Sequence, residues 1–346
     1  LGDVPLAITT VADAMIANNL APDLVRERLA AISVSATAPI QSALERAYKF
    51  SDGLLTESER ALVRAAAASP GVSVDPQMIR SAAGEAASGP ESSQVVSEPG
   101  RVVVGGVVLP KKDGDDKNKT QPGGKARGLE RLQKMGLLRA NSPRLRLAPG
   151  LREFALADAD ENAIKATLLA QMLQTVVFDK FDDFDYCEAE LGNVLGLIEW
   201  AAGQGRWDSV IALGRAIDPY LTLRGLWDAW RATLEHVLAA ARATGKQEVE
   251  AWALHQLGTR EAGVGTREQA IALLNQALAL RRAIGDATTF AYTQHNLNLL
   301  IAPPAPPRER EPKPPSKPSG PNPIVIGGLI GGVGLFGLIA VIVLGF

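Results

Sequence analysis

The sequence has one cysteine, Cys187, and three histidines in 346 residues. A single thiol excludes an internal disulfide and a cysteine metal cage, and it suits a reducing compartment. Three histidines leave little material for a zinc site, so no metal is expected. Aromatic residues make up only 5% while alanine and leucine abound, which fits helices packed on helices. The formal charge is −2, so no global field draws the chain to nucleic acid or to an acidic surface. A phosphate loop is also lacking. In GGKARG (123–128) Lys125 is followed by Ala126, and the spacing to the earlier glycine fails. With no strand–aspartate motif for magnesium either, no catalytic residue is assigned. The opening LGDVPLAITTVADAMI has no initiator methionine, basic leader or cleavage site. Pro5 suits the first turn of a helix there, and Leu6, Ile8, Val11, Ala12 and Ile16 recur at helical spacing.

At this length two or three domains are expected. Residues 324–346, IVIGGLIGGVGLFGLIAVIVLGF, carry no charge, and as a helix they would span about 30 Å. They read as a C-terminal transmembrane helix. Its basic flank, Arg308, Arg310, Lys313 and Lys317, keeps the N-terminal bulk in the cytoplasm. Gly327 with Gly331 and Gly328 with Gly332 suit either a self-association face, making a homo-oligomer, or simply a glycine-rich anchor. The Pro-rich stretch 302–323 reads as an extended linker reaching up to about 65 Å, in preference to an SH3-type ligand.

The second half repeats with a shift of forty residues. Gly225 falls on Gly265, Leu234 on Leu274, Leu238 on Leu278, Gly245 on Gly285, His255 on His295 and Leu257 on Leu297. Such a period marks stacked helical hairpins, with the paired histidines as equivalent core positions.

In the middle, Asp52-Gly53 makes a turn, and Thr56 with Glu59 forms a capping box before a helix over 56–68. DPQMIRSAAGEAA is a second helix, and GLERLQKMGLLRA (128–140) a third that ends in a Gly-Leu-Leu turn. RLRLAPGLREFALA (144–157) reads as a strand or wing leading into another helix. An insertion at about 84–127 reads as a disordered loop, with a small hairpin turning at Gly105-Gly106. Residues 125–153 are basic, including Lys125, Arg127, Arg131, Lys134, Arg139, Arg144, Arg146 and Arg152. They could track DNA phosphates, but no second DNA-reading element is visible. A solvated face, or one meeting an acidic neighbour, is preferred, and nucleic acid is not an expected partner.

LGDVPLAI resembles the G-x-P segment of NB-ARC proteins, the STAND-class signalling ATPases. The capped helix, GLERLQKMGLL and RLRLAPGLREFA resemble their winged-helix domain. Residues 187–213, through Glu190, Asn193 and Trp200-Ala201, resemble the start of the TPR (tetratricopeptide) region of bacterial members, and Leu257-Gly258 with Ala270, Leu274 and Ala277 resembles a TPR unit. The resemblance covers residues 1 to 300. It implies an all-α, mainly helical fold, with 1–37 a helical segment after a missing nucleotide-binding domain, 38–157 a winged helix and 158–301 TPR-like repeats; the 302–323 linker and the 324–346 anchor, read from their own composition, follow. It implies ATP or ADP bound mostly by the missing domain, with Pro5 packing near the adenine, no metal in this chain, and a protein ligand on the TPR surface. The expected function is the regulatory and sensor part of a membrane-anchored, nucleotide-dependent switch within a longer NTPase. In two places the chain departs from the family: Asp3 replaces the inner glycine, and Leu147-Ala148-Pro149 stands where the family has Met-His-Asp. The alternatives are a tail-anchored TPR adaptor without nucleotide function and a winged-helix DNA-binding regulator.

Overall fold

A computed structural model describes residues 1, 4–35, 37–84, 103–104, 107–108, 125–178 and 180–302. Among them the chain is mainly helical, with fourteen α-helices and two short hairpins. It divides into two compact units, residues 1–175 with 190–193, and residues 176–189 with 194–346. The linker beyond Ala302, the 324–346 span, Asp3, Gly105-Gly106 and most of the 84–127 insertion lie outside the described residues. No described helix is long and apolar enough to cross a membrane.

The first unit begins with α1 (Pro5–Ala17), α2 (Pro22–Ala31), α3 (Pro39–Asp52), α4 (Glu57–Ala68) and α5 (Pro76–Ala82). Four of these five open on proline, whose missing N–H is no loss in a first turn. α4 opens instead on the expected capping box: Thr56 N donates to Glu59 Oε2 at 2.9 Å, and Glu59 N donates to Thr56 Oγ1 at 3.3 Å. The face of α1 differs from the expectation. Ala7, Thr10, Val11 and Ala14 are buried, while Ile8 and Ile16 are 46% and 73% exposed. Small side chains turn inward because α1 lies against α3 and α6 (Lys125–Lys134).

Within the insertion, β1 (Val103–Val104) pairs antiparallel with β2 (Val107–Val108). The third expected helix is α6, and it is shorter than predicted. It stops at Lys134, Gly136 takes a left-handed φ of 71°, and Leu138 already starts β3 (Leu138–Asn141). Once Gly136 has broken the helix, the buried Leu137 and Leu138 go into the core from extended backbone. β3 pairs with β4 (Arg144–Leu147), Leu138 facing Leu147, and Val74 bridges to Leu145 through bonds of 2.8 and 3.0 Å. α7 (Arg152–Leu156) then packs on α4. Leu62, Ile79, Leu132, Met135, Leu137, Leu138 and Leu151 form the buried centre. α8 (Glu161–Val177) and one turn of α9 (Phe184–Gly203), Glu190–Asn193, complete the unit.

The second unit runs through the rest of α9, α10 (Trp207–Leu223), α11 (Trp227–Thr244), α12 (Gln247–Val264), α13 (Arg267–Ile284) and α14 (Ala287–Ile301). From α10 onward each helix packs on the next, and α12 also touches α14. Gly258 permits the α12–α13 approach: a Cβ there would lie 2.8 Å from Leu274 Cγ. Gly245 and Gly285 end their helices at φ 67° and 77°, as the repeat implies. The match of Gly225 to Gly265 is not kept in conformation. Gly225 has φ 66°, but Gly265 has φ −113°, because Thr266 caps α13 by accepting from Gln269 N.

Candidate functional site

In the first unit the turn Leu147–Gly150, between β4 and α7, lines a cleft of about 150 Å³ together with Ser69, Gly71–Val74 and the end of α4. Two guanidinium groups stand at this cleft. Arg146 Nε is buried without a hydrogen-bond partner. Arg152 donates to Ser69 O at 3.0 Å and to Glu161 at 3.2 Å. The intervening Leu147-Ala148-Pro149 adds no titratable group. Pro5, the predicted nucleotide contact, is the exposed first residue of α1 and is not among the residues lining this cleft.

Three arginines of the basic run, Arg131, Arg144 and Arg152, are used internally. Arg131 bonds Glu59, Asn18 Oδ1 at 2.7 Å and Leu54 O at 2.9 Å, tying α6 to α4 and α1. Burial raises the Glu59 pKa, but the bonds from Arg131 and Thr56 outweigh it and hold the carboxyl below its ordinary value. Arg144 pairs with Glu190, which is fully buried, and donates to Ser73 Oγ and Ser73 O, each at 2.9 Å. Asn193 completes the cluster. Its Nδ2 donates to Glu190 Oε2 at 2.7 Å and to Ser73 O at 3.0 Å, and its Oδ1 accepts from Gly71 N at 2.8 Å. Glu190 and Asn193, matched in sequence to a repeat region, therefore clamp the 71–73 loop. Arginines with their donors committed in this way are not free to track phosphates.

Besides the buried Arg260–Glu261 pair at 2.7 Å, the second unit holds polar clusters around Asp218 and His255. Asp218 of α10 accepts from Trp230 Nε1 at 2.6 Å and from Gln256 Nε2 at 2.9 Å. Burial pushes its pKa up to about 6, against those two donors and Arg215. His255 Nδ1 lies 3.0 Å from Thr293 Oγ1, which also bonds Arg281. Burial, then the Arg281 charge, lowers the His255 pKa to about 3, and burial lowers that of Arg281 to about 10. The expected equivalence of the histidines fails: His255 is buried and His295 is exposed. α14 covers the first, and no described helix follows α14 to cover the second. Sequence reasoning missed Asp218. Its only signal was a carboxylate on the face that also carries Gly214, Ile217 and Leu221.

On the surface of this unit, α11, α12 and α13 line a groove of about 370 Å³. Leu238, Leu257 and Leu273 give it apolar walls, and the Arg231–Glu235 pair, at 2.8 Å, lies along it with Gln269 and Gln276. Its mixed apolar and charged lining is of a kind that can seat a short amphipathic segment. Cys187 is buried, and burial raises its thiol to about 11, which keeps it protonated and unreactive. Among the described residues no cluster of three or more His, Cys, Asp or Glu is placed to hold a metal ion. No family model, curated protein or solved structure matches the chain.

Proposed function

We propose that this chain is the regulatory and sensor part of a STAND-type signalling switch, with the repeat unit receiving a protein ligand. In this reading α4, α5, α6 and the β3–β4 hairpin are a winged helix, α10–α14 are TPR-like hairpins, and 324–346 anchors the whole in a membrane. The observation that carries it is the order of the two units. A capped helix and hairpin domain precedes helices that repeat every forty residues, with left-handed glycines at 245 and 285. ATP or ADP would be held mostly by a domain outside this chain, since no stretch here supplies the backbone cradle and lysine that grip phosphates. The ligand would occupy the α11–α13 groove and bias the switch between closed and open forms.

One observation favours a second reading, an adaptor that never handles nucleotide: the cleft turn Leu147-Ala148-Pro149 offers no imidazole to a phosphate. The coding sequence upstream separates the two. A G-x-x-x-x-G-K-[ST] segment there supports the switch, and a nearby start codon supports the adaptor. In both, calorimetric titration of this chain with ATP is expected to show no micromolar binding. Micromolar binding that survives Pro5→Ala would overturn the assignment of nucleotide to another domain. Against the DNA-binding alternative stand Arg131 and Arg144, whose donors go to Glu59 and Glu190.

A further inference from the structure

One face of the β3–β4 hairpin gathers arginine. Side chains alternate along a strand, so positions 139 and 141 of β3 share a face with 144 and 146 of β4. Asn141 stands opposite Arg144, and Arg139 stands directly opposite Arg146. Arg144 is neutralised by Glu190. Arg139 and Arg146 are not: among the described residues neither makes an ion pair or a hydrogen bond, and Arg146 Nε is buried without a partner. Like charges directly opposite one another cost stability, and so does a buried donor left unpaired. The cleft beside them has the matching character. Arg146 and Arg152 line it, and no Asp or Glu does. Arg152 is already met by Glu161 and Ser69 O. Ser73 Oγ, also in the lining, accepts from Arg144, which leaves its own hydrogen to donate.

We infer that Arg139 and Arg146, with the Ser73 hydroxyl, form a site for a compact dianionic oxyanion, inorganic phosphate. Charge and size choose the ligand. The pair presents two unmatched positive charges. A carboxylate would cancel one of them, whereas a phosphate group carries about −1.5 to −2 near pH 7. Each guanidinium is a planar fork that takes two oxygens, and the four oxygens of phosphate serve two forks. The cleft of about 150 Å³ is half the roughly 300 Å³ at the lower end of ordinary small-molecule pockets, so it excludes a nucleoside. The bound ion bridges β3 to β4 and turns a repulsive pair into a clasp on the hairpin. This inference stands apart from the nucleotide reading. Pro5 does not line the cleft, and Ala148, where that family has its imidazole, is 1% exposed.

The test is equilibrium dialysis of the full chain against radiolabelled inorganic phosphate at constant ionic strength. Saturable binding of one phosphate per chain is expected, displaced by sulfate and not by equal acetate. Arg139→Gln and Arg146→Gln should each weaken it at least about tenfold, the loss expected when a charge-assisted bond worth about 1.5–3 kcal/mol is removed. Hydrogen exchange of β3–β4 supplies a second reading that does not depend on either variant. At a phosphate concentration ten times the dissociation constant, it should slow about tenfold in the parent. Without phosphate, neither variant should exchange faster than the parent there, because each relieves the repulsion; a residue needed only for the fold would show the reverse. Absent saturable binding, acetate competing as well as sulfate, or ADP displacing phosphate as well as phosphate itself does would each overturn the inference. So would full affinity in both variants, or parent exchange in β3–β4 that phosphate leaves unchanged.

Discussion

The two units are both helical, yet they are held together differently. In the first, ion pairs join residues far apart in sequence: Arg131 to Glu59, and Arg144 to Glu190. In the second, each of α10 to α14 leans on its chain neighbours, the ion pair Lys246–Asp208 links residues 38 apart, the buried Arg260 pairs with its own neighbour Glu261, and the buried Asp218 and His255 are met by neutral donors or a hydroxyl. A unit closed by distant links shares damage throughout. An array of neighbours keeps damage local, because its stability is close to a sum over repeats and their interfaces. All five tryptophans, 200, 207, 227, 230 and 252, lie in the second unit, so their fluorescence reads that unit alone.

The hardest blow to the contrast is Arg144→Ala. It strands the buried Glu190 carboxylate and should cost the first unit about 3–5 kcal/mol. Hydrogen exchange is expected to quicken together across α4–α6, since the clamp on the 71–73 loop is lost. Acceleration confined to the 71–73 loop would deny the first unit its shared fate. Next comes Leu274→Ala, which opens a cavity in the Leu274–Leu278–Leu297 cluster at a cost of about 2–4 kcal/mol. Exchange should quicken in α12–α14 and hold steady in α10. Equal loss along the whole array would contradict the neighbour-by-neighbour account.

Proton linkage sharpens the comparison. Asp218 has its pKa raised from 3.8 to about 6, so its stabilising contribution is complete below about 3.8 and is lost as pH rises through about 6. His255 has its pKa lowered from 6.5 to about 3, so its contribution is present above 6.5 and is lost as pH falls toward 3. Between about pH 4 and 6 the two slopes oppose each other, each at most about 1.4 kcal/mol per pH unit. Asp218→Asn should expose the histidine slope. The urea midpoint read by tryptophan fluorescence then falls on acidification from pH 6 to 4 more steeply than in the parent. Identical pH profiles for parent and variant would remove Asp218 from the account. The first unit has no such offset: Glu59, held below its ordinary value, loses its contribution in acid. The smallest effect belongs to Gly245→Ala, about 1 kcal/mol from the left-handed cap, seen as a small drop in the same midpoint. No drop would mean that this turn relaxes without cost.

What could be read from sequence was local. Thr56 and Glu59 lie three residues apart and need nothing beyond their own turn, and the glycines at 245 and 285 act within a single helix end. Interactions chosen by tertiary structure were not visible. Nothing near Arg144 in sequence names Glu190, 46 residues away, as its partner, so a buried clamp read as part of a basic surface. His255 and His295 occupy equivalent repeat positions, and only the presence or absence of a covering helix separates them. Ile8 and Ile16 fit a helical stripe, yet α1 turns its alanines inward to approach α3 and α6 closely. At the candidate cleft, the Leu147–Pro149 turn was located by resemblance, whereas its arginine neighbours required the fold.

The neighbour-only contacts of the array also fix how it answers a mechanical load. A tension applied at residue 302 acts on α14, which α13 and α12 alone among the well-contacted helices hold in place. Such a helix unzips from its end rather than shearing as a block. Its fifteen residues would lengthen from about 22 Å to about 50 Å before α13 bears the strain. The array therefore yields in steps of one helix, and its outermost helix serves as a mechanical fuse for the rest.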